Sequence, residues 1–439
     1  MMSKHDEYLQ NFYSSYIDYV TNWNRLMIKY NAILADSISK TLHDNQVSLT
    51  NVLSEDMQSK MRTSFDHEFR EGVKQDNFCD LISKAMDSWF TLSDFYGISK
   101  WHRIFINIFS SLNKIIEPLR DNINRTKSEP IKMNETYHLL HYKSSKTNKN
   151  NTPILVVYSL INRHYILDLL PDVSIIKHFV DSGFDVYAVN WETPSTFDED
   201  ITLEKYIHEY VENAVNKIQE ITGSEKVTLF GYCWGGILSL IYSTMHPHTV
   251  KNLILHATPL DIEKSDTVIE KWASWINPDM MVEKLGNVHG TLLNFAFTMR
   301  NPLEYILKYP NYFKKYHLPD EIQQFFAIEM WLYDSRPIIG KVYLEIIKKI
   351  YQKNELIQGK MSVGKKIVDL RNLKMPVLNI VGLYDDLVPP NTSKRILDKI
   401  PSTDKELITY PTGHVGLCIS KKAHSELWPK IVEWVKKRS

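Results

Sequence analysis

The feature that most constrains this fold is an apolar strand that leads directly into a cysteine flanked by glycines. Residues 227–230, VTLF, favour a buried strand, residues 231–236 are GYCWGG, and residues 235–245 carry an apolar helical pattern. Strand, sharp turn and helix together form the nucleophile-elbow pattern, with Cys233 where serine is usual. The small neighbours avoid clashes between strand and helix, so the Cys233 side chain stands clear at the carboxyl edge of a sheet. Taken alone, the segment fits a tight strand-helix turn with a buried, inert cysteine equally well.

Two later segments supply the partners that such a cysteine needs. A strand predicted at 377–381 is followed by Asp385, at the turn position where hydrolase folds place their acid. His414 follows the last predicted strand in a loop flanked by glycines. The order nucleophile, acid, histidine, in steps of 152 (385 minus 233) and 29 (414 minus 385) residues, is the α/β-hydrolase order. We therefore predict a catalytic triad of Cys233, Asp385 and His414, with Asp386 as a solvated turn residue or a cap.

From about residue 135 onwards the chain alternates strands with helices. The predicted strands are 136–142 at an edge, 154–158, 184–190, 227–230, 253–257, 377–381 and 407–410, and the predicted helices are 174–182, 203–221, 235–245 and 427–437. Such alternation indicates a mainly parallel sheet with helices on both faces. Between residue 259 and about residue 373 it lapses into aromatic-rich helices and loops. We therefore predict the α/β class: an α/β-hydrolase fold with a helical cap insertion at 259–373 and an N-terminal helical extension.

The predicted extension, residues 1–130, differs from the catalytic domain predicted for residues 131–439. Glycine is nearly absent there, and apolar residues recur at helical spacing. One heptad-like stripe comprises Leu9, Tyr13, Tyr16, Val20, Trp23, Met27, Tyr30 and Leu34, and further helical stretches run through 81–95 and 104–119. Such a stripe either packs on a neighbouring helix or domain, or forms an association surface for a partner subunit or a hydrophobic particle.

Charge balance and cysteine count limit the classes of protein. The 52 basic residues equal the 52 acidic ones, so no overall positive field is available to hold nucleic acid. Three cysteines do not make a disulfide framework at this length, which favours a reducing, cytoplasmic setting. The N-terminal MMSKHDEYLQ lacks the apolar segment of a signal peptide, and without a run of about 18 apolar residues we expect no transmembrane helix. We expect Cys79 and Cys418 to be packing residues.

From about residue 135 to the C-terminus, the sequence resembles the polyhydroxyalkanoate synthases, particularly the class III type that works with a second subunit. Besides GYCWGG the resemblance rests on SLINR at 159–163, LDL at 167–169, VNW at 189–191, TPLD at 258–261 and WLYDS at 331–335. It implies that Cys233 is the nucleophile, Asp385 the acid and His414 the general base. Trp234 stands where class III members usually have glutamine, and Asp386 stands where they commonly have histidine. The first 130 residues are longer than in the compact class III subunit.

The resemblance implies an acyltransferase that polymerises (R)-3-hydroxyacyl groups, with 3-hydroxybutyryl-CoA as the first candidate substrate, and that releases coenzyme A. It also implies a growing polyester chain at a granule surface in the cytoplasm, and a second synthase subunit or a homodimer as partner. The backbone N–H of Trp234 and one from Leu160 or Ile161 would hold the oxyanion. We expect no metal or organic cofactor, since the histidines show no ligand spacing such as H-E-x-x-H.

The sequence leaves two other functions open. A thioesterase, an esterase or a polyhydroxyalkanoate depolymerase of the same fold would use the same triad and let water release the acyl group. A non-catalytic granule-associated protein would keep the fold and bind through its N-terminal helices, although the complete triad argues against it. The products distinguish the three: polymer with free coenzyme A, free hydroxy acid, or no turnover.

Overall fold

The structure is a computed structural model of the 439-residue chain. It describes residues 125–146, 152–195, 198–264, 267–288, 290–300 and 319–439. The stripe from Leu9 to Leu34 and the helices predicted at 81–95 and 104–119 lie outside the described residues, so these interpretations remain predictions. Residues 122–300 and 323–439 form one compact unit, which contains the sheet and the predicted triad.

A mainly parallel sheet forms the core of this unit. The strands of the described residues are β1 Glu129–Lys132, β2 Tyr137–Tyr142, β3 Ile154–Val157, β4 Asp168–Leu170, β5 Val173–Ser174, β6 Val186–Trp191, β7 Val227–Tyr232, β8 Val250–His256, β9 Ser362–Val363, β10 Lys366–Ile367, β11 Val377–Gly382 and β12 Lys405–Tyr410. Eight of them form one sheet in the order β1, β2, β6, β3, β7, β8, β11, β12. From β6 to β12 every neighbouring pair is parallel, whereas β2 is antiparallel to both of its neighbours. The predicted α/β class is confirmed.

Burial explains the sequences of the central strands. Every residue of β3, β7 and β11 is buried, as expected for parallel strands that helices cover on both faces. The strand predicted at the sheet edge, 136–142, is β2 and stands second in the order, so its predicted edge position is wrong. The edge is β1, whose sequence EPIK is largely exposed. Proline is tolerated in an edge strand because its missing N–H can face solvent, where no hydrogen bond to a neighbouring strand is lost. The strand was not predicted because only one of its four residues, Ile131, is a typical strand-forming apolar residue.

Helices flank the sheet and fill the predicted insertion. The helices of the described residues are α1 Ile175–Val180, α2 Leu203–Lys205, α3 Glu212–Thr222, α4 Trp234–Met245, α5 Val268–Trp275, α6 Pro278–Leu285, α7 Gly290–Arg300, α8 Pro319–Tyr333, α9 Gly340–Ile346, α10 Pro390–Lys394, α11 Ile396–Lys399, α12 Gly416–Ile419, α13 Lys421–Glu426 and α14 Trp428–Lys436. Helices α5 to α9 fall between β8 and β11 along the chain, within the predicted insertion at 259–373. Among the described helices, none is long and apolar enough to cross a membrane.

The helix predicted at 203–221 is not uniformly α-helical. Helix α2 passes into a π-helical segment, Tyr206–Val211, which continues into α3. The Tyr206 and Tyr210 rings in this segment are buried, and their centroids lie 4.9 Å and 6.3 Å from that of Trp191. A π-helical turn holds more residues than an α-helical one and is frequent at functional sites. A second π-helical segment, Ile347–Gln352, follows α9.

The strand order brings the predicted site together. In a parallel sheet the carboxyl ends of the strands share one edge, and ligand sites of α/β proteins form there. Strands β3, β7, β8, β11 and β12 are neighbours. The loops that follow them carry the 159–163 segment, Cys233, Thr258, Asp385 and His414, respectively. Residues more than 250 positions apart in the chain therefore meet at this edge.

Candidate active site

Cys233 lies in a backbone conformation that few residues other than glycine adopt. Its φ is 53° and its ψ is −122°, between β7 and α4. The Cys233 N–H donates to the His256 carbonyl at 2.9 Å, and the Cys233 carbonyl accepts from the Gly236 N–H at 2.9 Å. Positive φ in a non-glycine residue is strained, and such strain persists only where the surroundings hold it in place. These contacts hold the turn, so the thiol stands at the carboxyl edge of the sheet.

The glycines that follow Cys233 are required by close backbone packing. A Cβ atom on Gly235 would lie 2.0 Å from the Val157 carbonyl oxygen, and one on Gly236 would lie 1.9 Å from Thr258 Oγ1. Both distances are far below van der Waals contact, so the start of α4 can approach β3 and the loop after β8 only because neither glycine has a side chain. The GYCWGG sequence therefore reflects the geometry of an elbow.

His414 joins the cysteine to the predicted acid. Its Nδ1 lies 2.7 Å from Oδ2 of Asp385, and the Cys233 sulfur is near enough to the same ring to raise its pKa. Since Nδ1 faces the carboxylate, Nε2 is the ring nitrogen left to take the thiol proton. The other Asp385 oxygen, Oδ1, accepts the N–H groups of Leu387 at 3.0 Å and Val388 at 2.7 Å. The carboxylate is thus fixed by its own turn and orients the imidazole.

The electrostatics of this buried cluster favour proton transfer to the imidazole. Burial by itself lowers the pKa of His414, but the Asp385 carboxylate, through its charge and its hydrogen bond, and the Cys233 sulfur together raise that pKa to about 10. A raised pKa makes the imidazole a stronger base. The arrangement can therefore take the thiol proton and generate the nucleophilic thiolate.

The neighbouring acid, Asp386, has different surroundings. Its carboxylate is 54% exposed and lies 3.1 Å from Nη1 of Arg300 at the end of α7. The Asp385 side chain, in contrast, is fully buried against the His414 ring. The turn therefore directs one carboxylate towards the histidine and the other into a half-exposed ion pair, which agrees with the preference for Asp385 and places the second acid in contact with the insertion.

The backbone N–H groups that we predict to hold the oxyanion come from two places. One is Trp234, and the other is Leu160 or Ile161 in the loop after β3. Trp234 is the first residue of α4, where backbone N–H groups have no acceptor within the helix. Leu160 is buried, whereas the Ile161 N–H already donates to Ser159 Oγ at 3.3 Å. Asn162 has a positive φ of 59°, so this loop, like the cysteine turn, is held in a sparsely populated conformation. The oxyanion role of Trp234, Leu160 and Ile161 remains a prediction.

Two of the sequence segments that carry the family resemblance contact each other. The Asn162 side-chain amide donates to the carbonyls of Trp331 and Leu332, each at 3.1 Å. The Trp331 indole donates to the Arg163 carbonyl at 2.7 Å, and Arg163 Nε lies 3.2 Å from Oδ1 of Asp334. The WLYDS segment at the end of α8 therefore fixes the loop after β3, which explains why both segments matter to one site.

Two residues of the insertion near the cysteine were not found from the sequence. The Trp234 indole donates to the Tyr351 hydroxyl at 3.0 Å; Trp234 is buried and Tyr351 is partly buried. Glu270 is also buried, hydrogen-bonded to Thr267 at 2.6 Å, and its burial raises its pKa to about 7. No local motif marks Tyr351 or Glu270, because their position depends on how the insertion packs.

The remaining described cysteine, Cys418, is fully buried on α12. Burial raises the pKa of its thiol well above the usual value, so it stays protonated and unreactive. This placement agrees with the expected packing role. Cys79 lies outside the described residues.

The mainly parallel sheet carries a cysteine on a strand-to-helix elbow after β7, an aspartate after β11 and a histidine after β12. Together they define an α/β-hydrolase-fold protein in which Cys, His and Asp meet at one edge of the sheet. Residues 152–418 match the family described as alpha/beta hydrolase fold. Residues 117–179 match the one described as poly-beta-hydroxybutyrate polymerase (PhaC) N-terminus.

Curated relatives narrow this class. The chain is 37% identical over 287 residues to the poly(3-hydroxyalkanoate) polymerase subunit PhaC of Allochromatium vinosum, covering 65% of this chain and 81% of that one. The subunits of the same name from Synechocystis sp. and Haloferax mediterranei are 34% and 37% identical, over 71% and 72% of this chain and 85% and 65% of their own lengths. This chain therefore belongs to the PhaC family of poly(3-hydroxyalkanoate) polymerases, and the family predicted from the sequence is confirmed.

Proposed function

We propose that this chain transfers (R)-3-hydroxyacyl groups from coenzyme A thioesters to a growing poly(3-hydroxyalkanoate) chain, with Cys233 as the nucleophile. The observation that carries the proposal is the chain of contacts from Cys233 through His414 to Asp385 in a member of the PhaC family. 3-Hydroxybutyryl-CoA is the first candidate substrate, because the matching N-terminal family is described by poly-beta-hydroxybutyrate.

The first half-reaction loads the cysteine. His414 Nε2 takes the thiol proton, and the Cys233 sulfur attacks the thioester carbonyl carbon. Backbone N–H groups of Trp234 and of the loop after β3 stabilise the negative charge on the carbonyl oxygen. The bond between the carbonyl carbon and the coenzyme A sulfur breaks, and the leaving thiolate takes the proton from His414. One thioester replaces another, so the step is nearly balanced in free energy.

The second half-reaction extends the polymer. The 3-hydroxyl of a hydroxyacyl group gives its proton to His414 and attacks the acyl-cysteine carbonyl carbon. Asp385 orients the imidazole and stabilises its protonated form. An oxygen ester forms, the Cys233 thiolate is released, and the proton returns to it. An ester is more stable than a thioester, which drives chain growth.

The proposal extends to the surroundings of the enzyme. A growing polyester is insoluble, so we place the enzyme at a granule surface in the cytoplasm. The relatives are named as subunits of a polymerase, which supports a second synthase subunit or a second copy of this chain as partner. Residues 1–130 are the candidate docking segment. The acyl transfer needs no metal or organic cofactor, because Cys233 and His414 supply the nucleophile and the proton transfers.

A product assay tests the proposal. Purified full-length chain is incubated with (R)-3-hydroxybutyryl-CoA, alone and with a class III partner subunit, while free thiol, soluble 3-hydroxybutyrate and insoluble polyester are followed together. We expect thiol release to be matched by polyester, with little free acid. The Cys233→Ala variant is the matched control for background hydrolysis. Release of monomeric acid equal to the thiol, without polymer in either arm, would identify a thioesterase of the same fold instead.

A further inference from the structure

A second group of chemically reactive side chains lies at the far end of the nucleophile helix. His208 lies in the π-helical segment Tyr206–Val211, Glu212 is the first residue of α3, and His246 directly follows α4. Nδ1 of His208 lies 3.3 Å from Nε2 of His246 and 3.8 Å from Oε2 of Glu212. Nδ1 of His246 lies 3.6 Å from Oε1 of Glu212. The three residues can each offer one ligand atom, all within 4.8 Å of one another.

These separations suit one bound cation. Zinc binds imidazole nitrogen at about 2.0–2.1 Å with tetrahedral geometry, which separates neighbouring ligand atoms by about 3.3 Å. The 3.3 Å between His208 Nδ1 and His246 Nε2 already matches this spacing, and the Glu212 carboxylate, 3.8 Å from His208 Nδ1, has to move closer to both nitrogens. Two imidazoles with one carboxylate are a common zinc set that leaves a position for water. Imidazole excludes calcium and magnesium, which prefer oxygen ligands.

The surroundings keep the ligand atoms available. The side chains are partly exposed, from 14% for His246 to 31% for Glu212, so an ion can enter from solvent. Nε2 of His208 is buried and has no hydrogen-bond partner among the described residues, so the contacts of this ring to the other two residues are made through Nδ1.

We propose that His208, Glu212 and His246 form a binding site for a divalent transition-metal ion, with Zn²⁺ as the preferred ion and water in the fourth position. The ion would join the π-helical segment and α3 to the end of α4. Helix α4 has 12 residues, so the site lies about 18 Å from the catalytic cysteine at 1.5 Å per residue. It therefore stabilises the helix that carries the nucleophile and takes no part in the acyl transfer, and it does not depend on the proposed function.

Metal-dependent thermal stability tests the proposal. All proteins carry Cys233→Ser, so that the catalytic thiol cannot act as a competing zinc ligand. Each is stripped with a chelator, and its Tm is measured with and without a small excess of Zn²⁺; Co²⁺ is added separately, because a tetrahedral Co²⁺ site has a strong visible absorption band. The ligand variants are His208→Gln, Glu212→Gln and His246→Gln. His178→Gln is the matched control: His178 forms another histidine pair, with His424 at 3.0 Å, but that pair belongs to no such three-ligand group among the described residues.

We expect Zn²⁺ to raise the Tm of the parent protein and of the His178→Gln control by about 5 °C, because a ligand that binds only the folded state stabilises it. The three ligand variants should lose most of this rise and the Co²⁺ band. The zinc-induced shift is compared within each variant, so a lower starting Tm does not obscure the result. Glu212→Gln preserves shape and is the variant least affected by folding defects. No shift in the parent protein, or an equal shift in all variants, overturns the proposal.

Discussion

The two ends of α4 show how differently sites can be encoded. At its start, six contiguous residues form the elbow, with Cys233 at φ 53° and Gly236 packed against Thr258. At its end, His246 meets His208 and Glu212 from a helix that precedes α4 in the chain. The elbow has a local motif because contiguous residues form its turn and supply the glycines that its close packing requires. The second has none, because 38 residues (246 minus 208) separate its histidines.

The largest expected effect comes from replacing Cys233, at the start of α4. Cys233→Ala removes the proposed acyl carrier, so coenzyme A release should fall by about 10³-fold or more while the fold is retained. Steady-state thiol release and circular dichroism measure the two quantities. Cys418→Ala, which changes a buried cysteine that contacts no substrate in this account, is the control and should keep most of the activity. A Cys233→Ala variant with near-normal turnover would remove the distinction between the two cysteines.

The next effect separates two adjacent carboxylates. Asp385→Asn replaces the acceptor that orients His414 and should reduce turnover by about 10²–10⁴-fold, as loss of the triad acid does in hydrolases. Asp386→Asn removes only a half-exposed ion pair with Arg300, worth about 0–1 kcal/mol, and should change turnover by about twofold at most. Equal losses in the two variants would mean that the turn presents the wrong carboxylate to the histidine.

A smaller effect concerns the packing of the elbow. Gly236→Ala places a methyl group against Thr258 Oγ1, and overpacking of this kind costs about 1–3 kcal/mol of unfolding free energy. Truncation of the neighbour in Gly236→Ala/Thr258→Ala removes the two nearest atoms, Oγ1 and Cγ2, but keeps the Thr258 Cβ at 2.8 Å, so it should restore part of that stability, as measured by urea unfolding. If the double variant is as unstable as the sum of the single ones, the close approach of α4 to the loop after β8 is not what requires glycine.

The smallest effect concerns the departure from the family pattern beside the nucleophile. Trp234→Phe removes the indole N–H that donates to Tyr351 at 3.0 Å, a bond worth about 1 kcal/mol. In a double-mutant cycle with Tyr351→Phe, we expect a coupling of about 1 kcal/mol in unfolding free energy. Purely additive changes would show that this bond contributes nothing to holding the insertion near the cysteine.

Local patterns explain how much of the fold could be predicted. The central strands are continuously apolar because helices cover both of their faces, so β3, β7 and β11 were found from sequence. The outer strand β1 was missed, because an exposed edge needs little apolar surface. The π-helical segment Tyr206–Val211 was also missed, since its residues keep nearly the same amphipathic spacing as an α-helix. Whether this segment forms a π-helix or an α-helix depends on how its tyrosines pack against Trp191, and the sequence does not show that packing.

The residues of the candidate active site also fall into two groups: those that a local sequence pattern indicates and those that only packing brings to the site. That Cys233, Asp385 and His414 lie at one edge of the sheet was predictable, because each follows a strand at a turn with glycine nearby. Tyr351 and Glu270 come from the insertion, where helices and loops have no fixed relation to the strand ends. The contact between Asn162 and the end of α8 likewise joins segments 169 residues apart (331 minus 162). These segments meet only in the folded protein, and no local sequence pattern indicates the contact.

The most direct test of the central claim is to capture the acyl-cysteine. Butyryl-CoA lacks the 3-hydroxyl that attacks the acyl-enzyme in the second half-reaction, so a butyryl group transferred to the protein should remain there. After incubation and acid quenching, peptide mass spectrometry locates the added group. We predict a butyryl adduct on Cys233 in the unaltered chain and none in Cys233→Ala. An adduct on Cys418, or release of coenzyme A without any adduct on Cys233, would contradict the account.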